Sequence, residues 1–198
     1  YERGDQEAMD RIAATAAKVR RFSVTNINRV MVLVQSKAAQ GAGHTAVLLL
    51  NKNNQGMLLS YHPYPDGSPN TEPGEMRIAC MNSSEWNNVL YGKNNPDAKL
   101  VGSTGYNQSE NFNGNIYISV DASNGRKGLA KMANLFANPG NYNVITNNCD
   151  HQTASIVMAA GKFYDKYTQP NDSFKYTKMY YYNYNAWVAH TANEIGGI

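Results

Sequence analysis

Six side chains in this sequence could work as nucleophile or base, namely two cysteines and four histidines. Cys149 has the most suggestive setting. It follows Asn147-Asn148 and leads into the apolar run Ala154 to Ala160, which places it in the first turn of a helix with Asn148 as a natural N-cap. Unpaired N–H groups and the helix macrodipole there favour an anion, so the expectation is a lowered thiol pKa and an available thiolate. The alternative is a small buried apolar cysteine. Cys80, within Arg77-Ile78-Ala79-Cys80-Met81, has none of these features and reads as packing.

A thiol nucleophile needs a base. His151 stands two residues after Cys149, and two helical steps of about 100° send the side chains to nearly opposite faces; it reads as a packing or hydrogen-bonding residue. His190 falls near the end of the tyrosine-rich last helix, a surface or cap position. His44 follows Gly41-Ala42-Gly43 and opens a buried strand, and His62 ends that strand's partner. A turn centred near Asn53 makes the two cross-strand neighbours, give or take one position. On a shared face, His62 orients His44 as the third member of a triad with Cys149. A one-residue change of register breaks that arrangement.

The elements that must position these groups follow from periodicity and turn chemistry. Met9, Ile12, Ala13, Ala16 and Val19 mark an amphipathic helix over Asp5 to Arg21. A Val-rich strand spans Arg29 to Gln35, and Ala38 to Gly43 is a flexible loop. His44 to Asn51 and Gly56 to His62 form an antiparallel hairpin around Lys52 to Gln55. Pro63 to Gly74 is a long surface loop. Arg77 to Met81 reads as a strand, Ser83 to Tyr91 as a short capped helix, and Leu100 to Val101 and Asn115 to Val120 as strands. Asp121 to Ser123 caps a helix to Ala137 that Pro139-Gly140 stops, with Leu129, Met132, Leu135 and Phe136 on one face. Tyr142 to Ile145 is extended, and Gly161 closes the helix Cys149 to Ala160. A last helix starts at Asp172 or Ser173 and runs to about Glu194. With no repeat and no convincing linker, residues 1–198 read as one domain. It has an N-terminal helical segment (1–27) and a tyrosine-rich C-terminal one (166–198).

Composition narrows the class. At 198 residues and 42% apolar content the chain can bury a full core, and no apolar run approaches the roughly 18 residues of a membrane span. Net charge is +3, and the basic residues come in small groups such as Arg126, Lys127 and Lys131, with no basic stripe; this argues against sequence-specific nucleic-acid recognition. The chain has no Cys-x-x-Cys pair and no histidine pair at helix spacing, so neither a metal nor an organic cofactor is indicated. The chain opens at Tyr1, and no secretory leader is visible in it.

Two stretches resemble a known family. Gly43-His44-Thr45-Ala46-Val47-Leu48-Leu49, a hairpin, and Leu59-Ser60-Tyr61-His62-Pro63 are similar to the histidine strand of circularly permuted papain-like (NlpC/P60) cysteine hydrolases. Tyr142 to His151, with its Asn147-Asn148-Cys149-Asp150 core, resembles their cysteine motif. His first and Cys about a hundred residues later is the permuted order. The nearest flavour is the C-terminal toxin domain of bacterial YD-repeat and type VI secretion effectors. The resemblance covers about thirty residues. It implies an α+β fold in which an antiparallel sheet packs against helices and the nucleophile, Cys149, opens a helix. Gln152 stands where lecithin:retinol acyltransferase-like members carry an aromatic, which points away from lipid acyl transfer. The family's third polar residue lies closer to the first His than His62 does, which leaves Asn51, Ser60 and Asp66 as further candidates.

The implied reaction is acyl transfer: thiolate attack, a tetrahedral oxyanion, an acyl-enzyme and its hydrolysis. The backbone N–H of Cys149 would hold the oxyanion, with Asn148 or Asn147 as side-chain donors, though capping is the plainer job for either. Implied substrates are peptidoglycan stem peptides, a protein backbone or glutamine side chain, or a lipid ester. The toxin setting implies delivery into a target cell as part of a larger protein and a cognate immunity protein. Two other classes stay open: an RNase-type toxin using His44 or His62 with Lys and Tyr, and a non-catalytic papain-like binding module.

Overall fold

A strand whose two alternating sets are both mainly apolar needs cover on both faces, and the core of this protein is built around two such strands. The structure, a computed structural model, describes residues 26–63, 70–71, 75–84, 86 and 112–195. Strand β1 (Ile27–Gln35) and β2 (His44–Asn51) lie at the centre of a five-stranded antiparallel sheet. Strand β3 (Gly56–His62) pairs with β2, and β4 (Asn70–Thr71) stands outside this sheet. Strand β5 (Glu75–Met81) pairs with β3, and β6 (Gly114–Ser119) pairs with β1, giving the order β5-β3-β2-β1-β6. All eight residues of β2 are buried.

The β2–β3 turn sets the register. Asn51 Oδ1 accepts the backbone N–H groups of Asn53 (2.9 Å) and Gln55 (3.0 Å), and Asn54 takes the left-handed conformation (φ 59°) that Asn tolerates. Leu50 then pairs with Gly56 and Ala46 with Ser60, a hairpin centred on Asn53. Alternation does the rest. Val47, Leu49, Met57, Leu59 and Tyr61 point to one face, with Val30, Val32 and Val34 of β1. Ala46, Leu48, Leu50 and Leu58 point to the other, with Met31, Leu33 and Phe112.

Helices cover the first face. Helix α1 (Ala122–Ala137) begins where Asp121 accepts the N–H of Asn124 (2.8 Å), and it buries Leu129, Met132 and Phe136. At Gly125 it comes so close to β1 that a Cβ would sit 2.2 Å from the Ile27 carbonyl oxygen. A two-residue strand, β7 (Tyr142–Asn143), pairs with β4, so the Pro63 to Gly74 segment expected to be a plain loop carries a short ladder. Helix α2 (Cys149–Ala159) is capped by Asn148 and ends at Ala160, followed by Gly161 at φ 69°, the left-handed closure glycine allows. Helix α3 (Pro170–Ile195) starts two residues before the expected Asp172. Pro170 already has the fixed φ of a first helical position and no N–H to leave unpaired there.

The α+β class expected from the sequence is present: the described residues form a five-stranded antiparallel sheet, a two-stranded ladder and three α-helices. Among the described residues no helix is long and apolar enough to cross a membrane. Of the expected Ser83 to Tyr91 helix, Ser83, Ser84 and Trp86 are helical. The expected helix over Asp5 to Arg21, the strand at Leu100 to Val101 and the candidate Asp66 lie outside the described residues.

Candidate active site

The N-terminus of α2 carries its own cap. Asn148 Oδ1 accepts the N–H groups of Asp150 (2.9 Å) and His151 (3.1 Å), and its Nδ2 donates to the Val144 carbonyl (2.7 Å). Asn147 Nδ2 donates to the carbonyls of Asn141 (2.8 Å) and Pro139 (3.3 Å), while its Oδ1 accepts from Gln152 Nε2. Both amides are thus engaged as caps and braces, Asn147 Nδ2 on two backbone carbonyls and Asn148 Nδ2 on one, the plainer job rather than the oxyanion role expected of them. His151 Nδ1 lies 2.9 Å from Asn148 Oδ1, the local hydrogen-bonding position read from its spacing.

Cys149 is the first residue of α2, as expected, but it is 4% exposed. Burial in the core pushes its thiol up to about 12; hydrogen bonds from Thr45 pull the other way and the neighbouring Asp150 adds to the rise. The expected lowering is therefore reversed. A helix N-terminus stabilises an anion by about 1 kcal/mol, and removing a thiolate from water costs more than that. Burial thus favours the neutral thiol at Cys149.

Beside it lies a buried acid. Asp150, fully buried, accepts from Tyr164 Oη (2.5 Å), Ser173 Oγ (2.7 Å) and Thr45 Oγ1 (3.2 Å). Three hydroxyls from β2, the α2–α3 connection and α3 thus converge on one carboxyl group. Burial raises its pKa despite these donors, which act to lower it. The sequence offered one hint of this cluster, an acid in the first turn of an otherwise apolar helix, a position the macrodipole favours. The hydroxyl partners come from 14 to 105 residues away and carry no local signal.

The histidines are on the other side of the sheet. Thr45 faces α2, so His44, its neighbour in the strand, faces away. His44 Nε2 lies 2.7 Å from Ser60 Oγ, and Ser60 Oγ lies 2.7 Å from His62 Nε2. The two imidazole centroids are 4.3 Å apart, and Phe112 stacks on His44 at 6.3 Å. His44 and His62 are cross-strand neighbours on one face, as the hairpin predicted, with Ser60 between their ring nitrogens. His44 and Ser60 are buried, and His62 is partly exposed.

The expected pairing of Cys149 with His44 is therefore not assembled. Successive residues of β2 point to opposite faces, and it is Thr45, not His44, that meets the cysteine. Asn51 lies at the far end of β2, where it closes the hairpin turn. Cys80 is partly buried against the helix-facing core, in keeping with packing. Among the described residues no group of three His, Cys, Asp or Glu side chains could hold a metal ion.

No family model, no curated protein and no solved structure matches this chain. The functional reading therefore rests on the two clusters themselves. A chain of three hydrogen-bonding groups, imidazole–hydroxyl–imidazole, can pass a proton along itself. The neutral, buried thiol cannot attack a carbonyl until it is uncovered and ionised.

Proposed function

We propose that this chain is a hydrolase working by general acid–base catalysis at His44–Ser60–His62, in a permuted papain-like fold. Ser60 Oγ within 2.7 Å of both Nε2 atoms carries this reading. The fold reading is supported by chain order: a histidine-bearing hairpin precedes an Asn-capped cysteine helix that packs on the same strand. With one Nε2–H donating to Ser60 Oγ and the Oγ–H donating to the other ring, a proton taken up at one imidazole is matched by one delivered at the other. Ser60, 1% exposed, is too enclosed to be a nucleophile and serves to orient the rings. His62, the more exposed of the two, removes a proton from water; the water oxygen bonds to the carbonyl carbon of an amide or ester. The tetrahedral intermediate then collapses with cleavage of the C–N or C–O bond, and the proton returns to the leaving group.

A second reading, the cysteine hydrolase, is favoured by the place of Cys149 as first residue of an Asn148-capped helix lying against the strand that carries His44. It requires the thiol to be exposed and the imidazole to reach the opposite face. One comparison separates the two. Peptidoglycan fragments, peptides, activated esters and RNA are offered to the wild type and to His62→Gln, Ser60→Ala and Cys149→Ser. The acid–base reading expects hydrolysis reduced about 100-fold or more by His62→Gln, a clear loss with Ser60→Ala, and near-normal rates with Cys149→Ser. Loss with Cys149→Ser alone would replace it by the thiol mechanism. Cleavage of RNA alone would move the same two histidines to phosphodiester chemistry, and no turnover by a folded wild type would leave a binding module.

A further inference from the structure

Helix α3 buries Ser173, Phe174 and Thr177 and turns a second stripe, Lys175, Lys178, Met179 and Tyr182, to solvent. Met179 is 48% and Tyr182 72% exposed. With Phe174 as its floor, this stripe lines an open cavity of about 380 Å³. The walls are the Met179 thioether, the Tyr182 ring and the lysine stems, so the cavity suits an apolar side chain. Its rim is cationic. Neither lysine forms an ion pair with a carboxylate among the described residues, and Lys175 rests over the Tyr176 ring at 5.5 Å. Asp172 sits one turn before Lys175, towards the start of the helix, and the two lysines place the positive charge at the first two positions of the stripe.

From this juxtaposition we propose that α3 is a docking surface for an acidic amphipathic polypeptide helix. Its apolar residues enter the groove between Met179 and Tyr182, and its carboxylates lie opposite Lys175 and Lys178. Helix-on-helix recognition of this kind reads anchors at three- and four-residue steps, and opposite charge at the rim fixes orientation and speeds association. A single-stranded nucleic acid fits less well. Successive bases need a series of stacking rings, whereas the exposed stripe carries one, Tyr182.

The test uses the full chain and a fluorescein-labelled amphipathic peptide with Leu on one face and Glu flanking it, read by anisotropy. A matched peptide with Lys in place of Glu, an oligouridine and anionic phospholipid vesicles serve as competing probes. The acidic peptide should bind, and Lys175→Glu/Lys178→Glu should weaken it by about tenfold or more, with weaker binding at higher salt. The double variant should in turn prefer the Lys peptide. Met179→Ala, which removes an apolar wall and no charge, should weaken both. All three substitutions are at exposed positions, and circular dichroism confirms that the variants fold. Failure of the acidic peptide to bind, equal binding of the two peptides, or lysine-dependent binding of the oligouridine or vesicles alone would overturn the proposal.

Discussion

Tyr164→Phe probes the Asp150 cluster with the least change of shape. The substitution deletes one hydroxyl and keeps the ring, which is 6% exposed. Asp150 then keeps Ser173 at 2.7 Å and Thr45 at 3.2 Å and loses its 2.5 Å partner. A hydrogen bond to a charged group contributes about 1.5–3 kcal/mol, so a loss of about 2 kcal/mol is expected at neutral pH. For a urea slope of about 2 kcal/mol/M this moves the unfolding midpoint down by about 1 M. Ser173→Ala should cost at least as much, because Ser173 Oγ also accepts the Tyr167 N–H at 2.7 Å. The double variant should depart from additivity by about 0.5 kcal/mol or more, since both hydroxyls serve one carboxyl group. The pH dependence has a definite sign. Burial raises the Asp150 pKa, so the folded chain holds that proton more tightly than the unfolded one. The associated stability is complete below the unfolded value of about 3.9 and is lost as pH rises through the raised folded value. Measured against Asp150→Asn, which does not titrate, the wild type should therefore lose relative stability as pH rises from about 4. A Tyr164→Phe midpoint within about 0.25 M of wild type, or strict additivity with Ser173→Ala, would refute the idea that the three hydroxyls act as one support.

Further outcomes follow from other contacts. In the folded chain Cys149 should react with iodoacetamide far more slowly at pH 7 than in denaturant, because its pKa is pushed up to about 12; rapid native-state alkylation would show that the site opens. Gly125→Ala should destabilise despite the roughly 1 kcal/mol that alanine gains in a helix. Its Cβ would fall 2.2 Å from the Ile27 carbonyl oxygen, and a calorimetric Tm at or above wild type would contradict that close packing. Asn148→Ala, which removes the acceptor for two N–H groups, should lower stability by about 1–2 kcal/mol, seen as a drop in urea midpoint.

The parts of the fold visible in the sequence were those settled by local chemistry. Asn51 to Gln55 marked the hairpin, Asp121 and Asn148 marked helix starts, and Gly161 marked a helix end. Even the cross-strand position of His44 and His62 followed from the turn. What was not visible was the side of the sheet on which α2 would lie. In β2 the sets Thr45, Val47, Leu49 and Ala46, Leu48, Leu50 are both mainly apolar and both buried, so alternation defines two faces without saying which one the helices cover. That choice is tertiary, and it decided that Thr45 meets Cys149. The thiol pKa is hidden from the sequence for a related reason: a helix terminus is a local property, whereas burial depends on everything packed around it. The short β4–β7 ladder is hidden too, because two extended residues in a polar loop leave no periodic trace.

The Asn51-centred turn has a consequence for how such a chain could vary over generations. With the turn geometry kept, the residue opposite His44 is set by the number of residues between the strands. Gain of one codon between Lys52 and Gln55 would put Tyr61 there, a phenol where an imidazole had been, and loss of one would put Pro63 there. Point substitutions within the strands leave that choice untouched. The length of this turn is thus a heritable selector of which side chain stands opposite His44, and it can be reset without altering any residue that performs the chemistry.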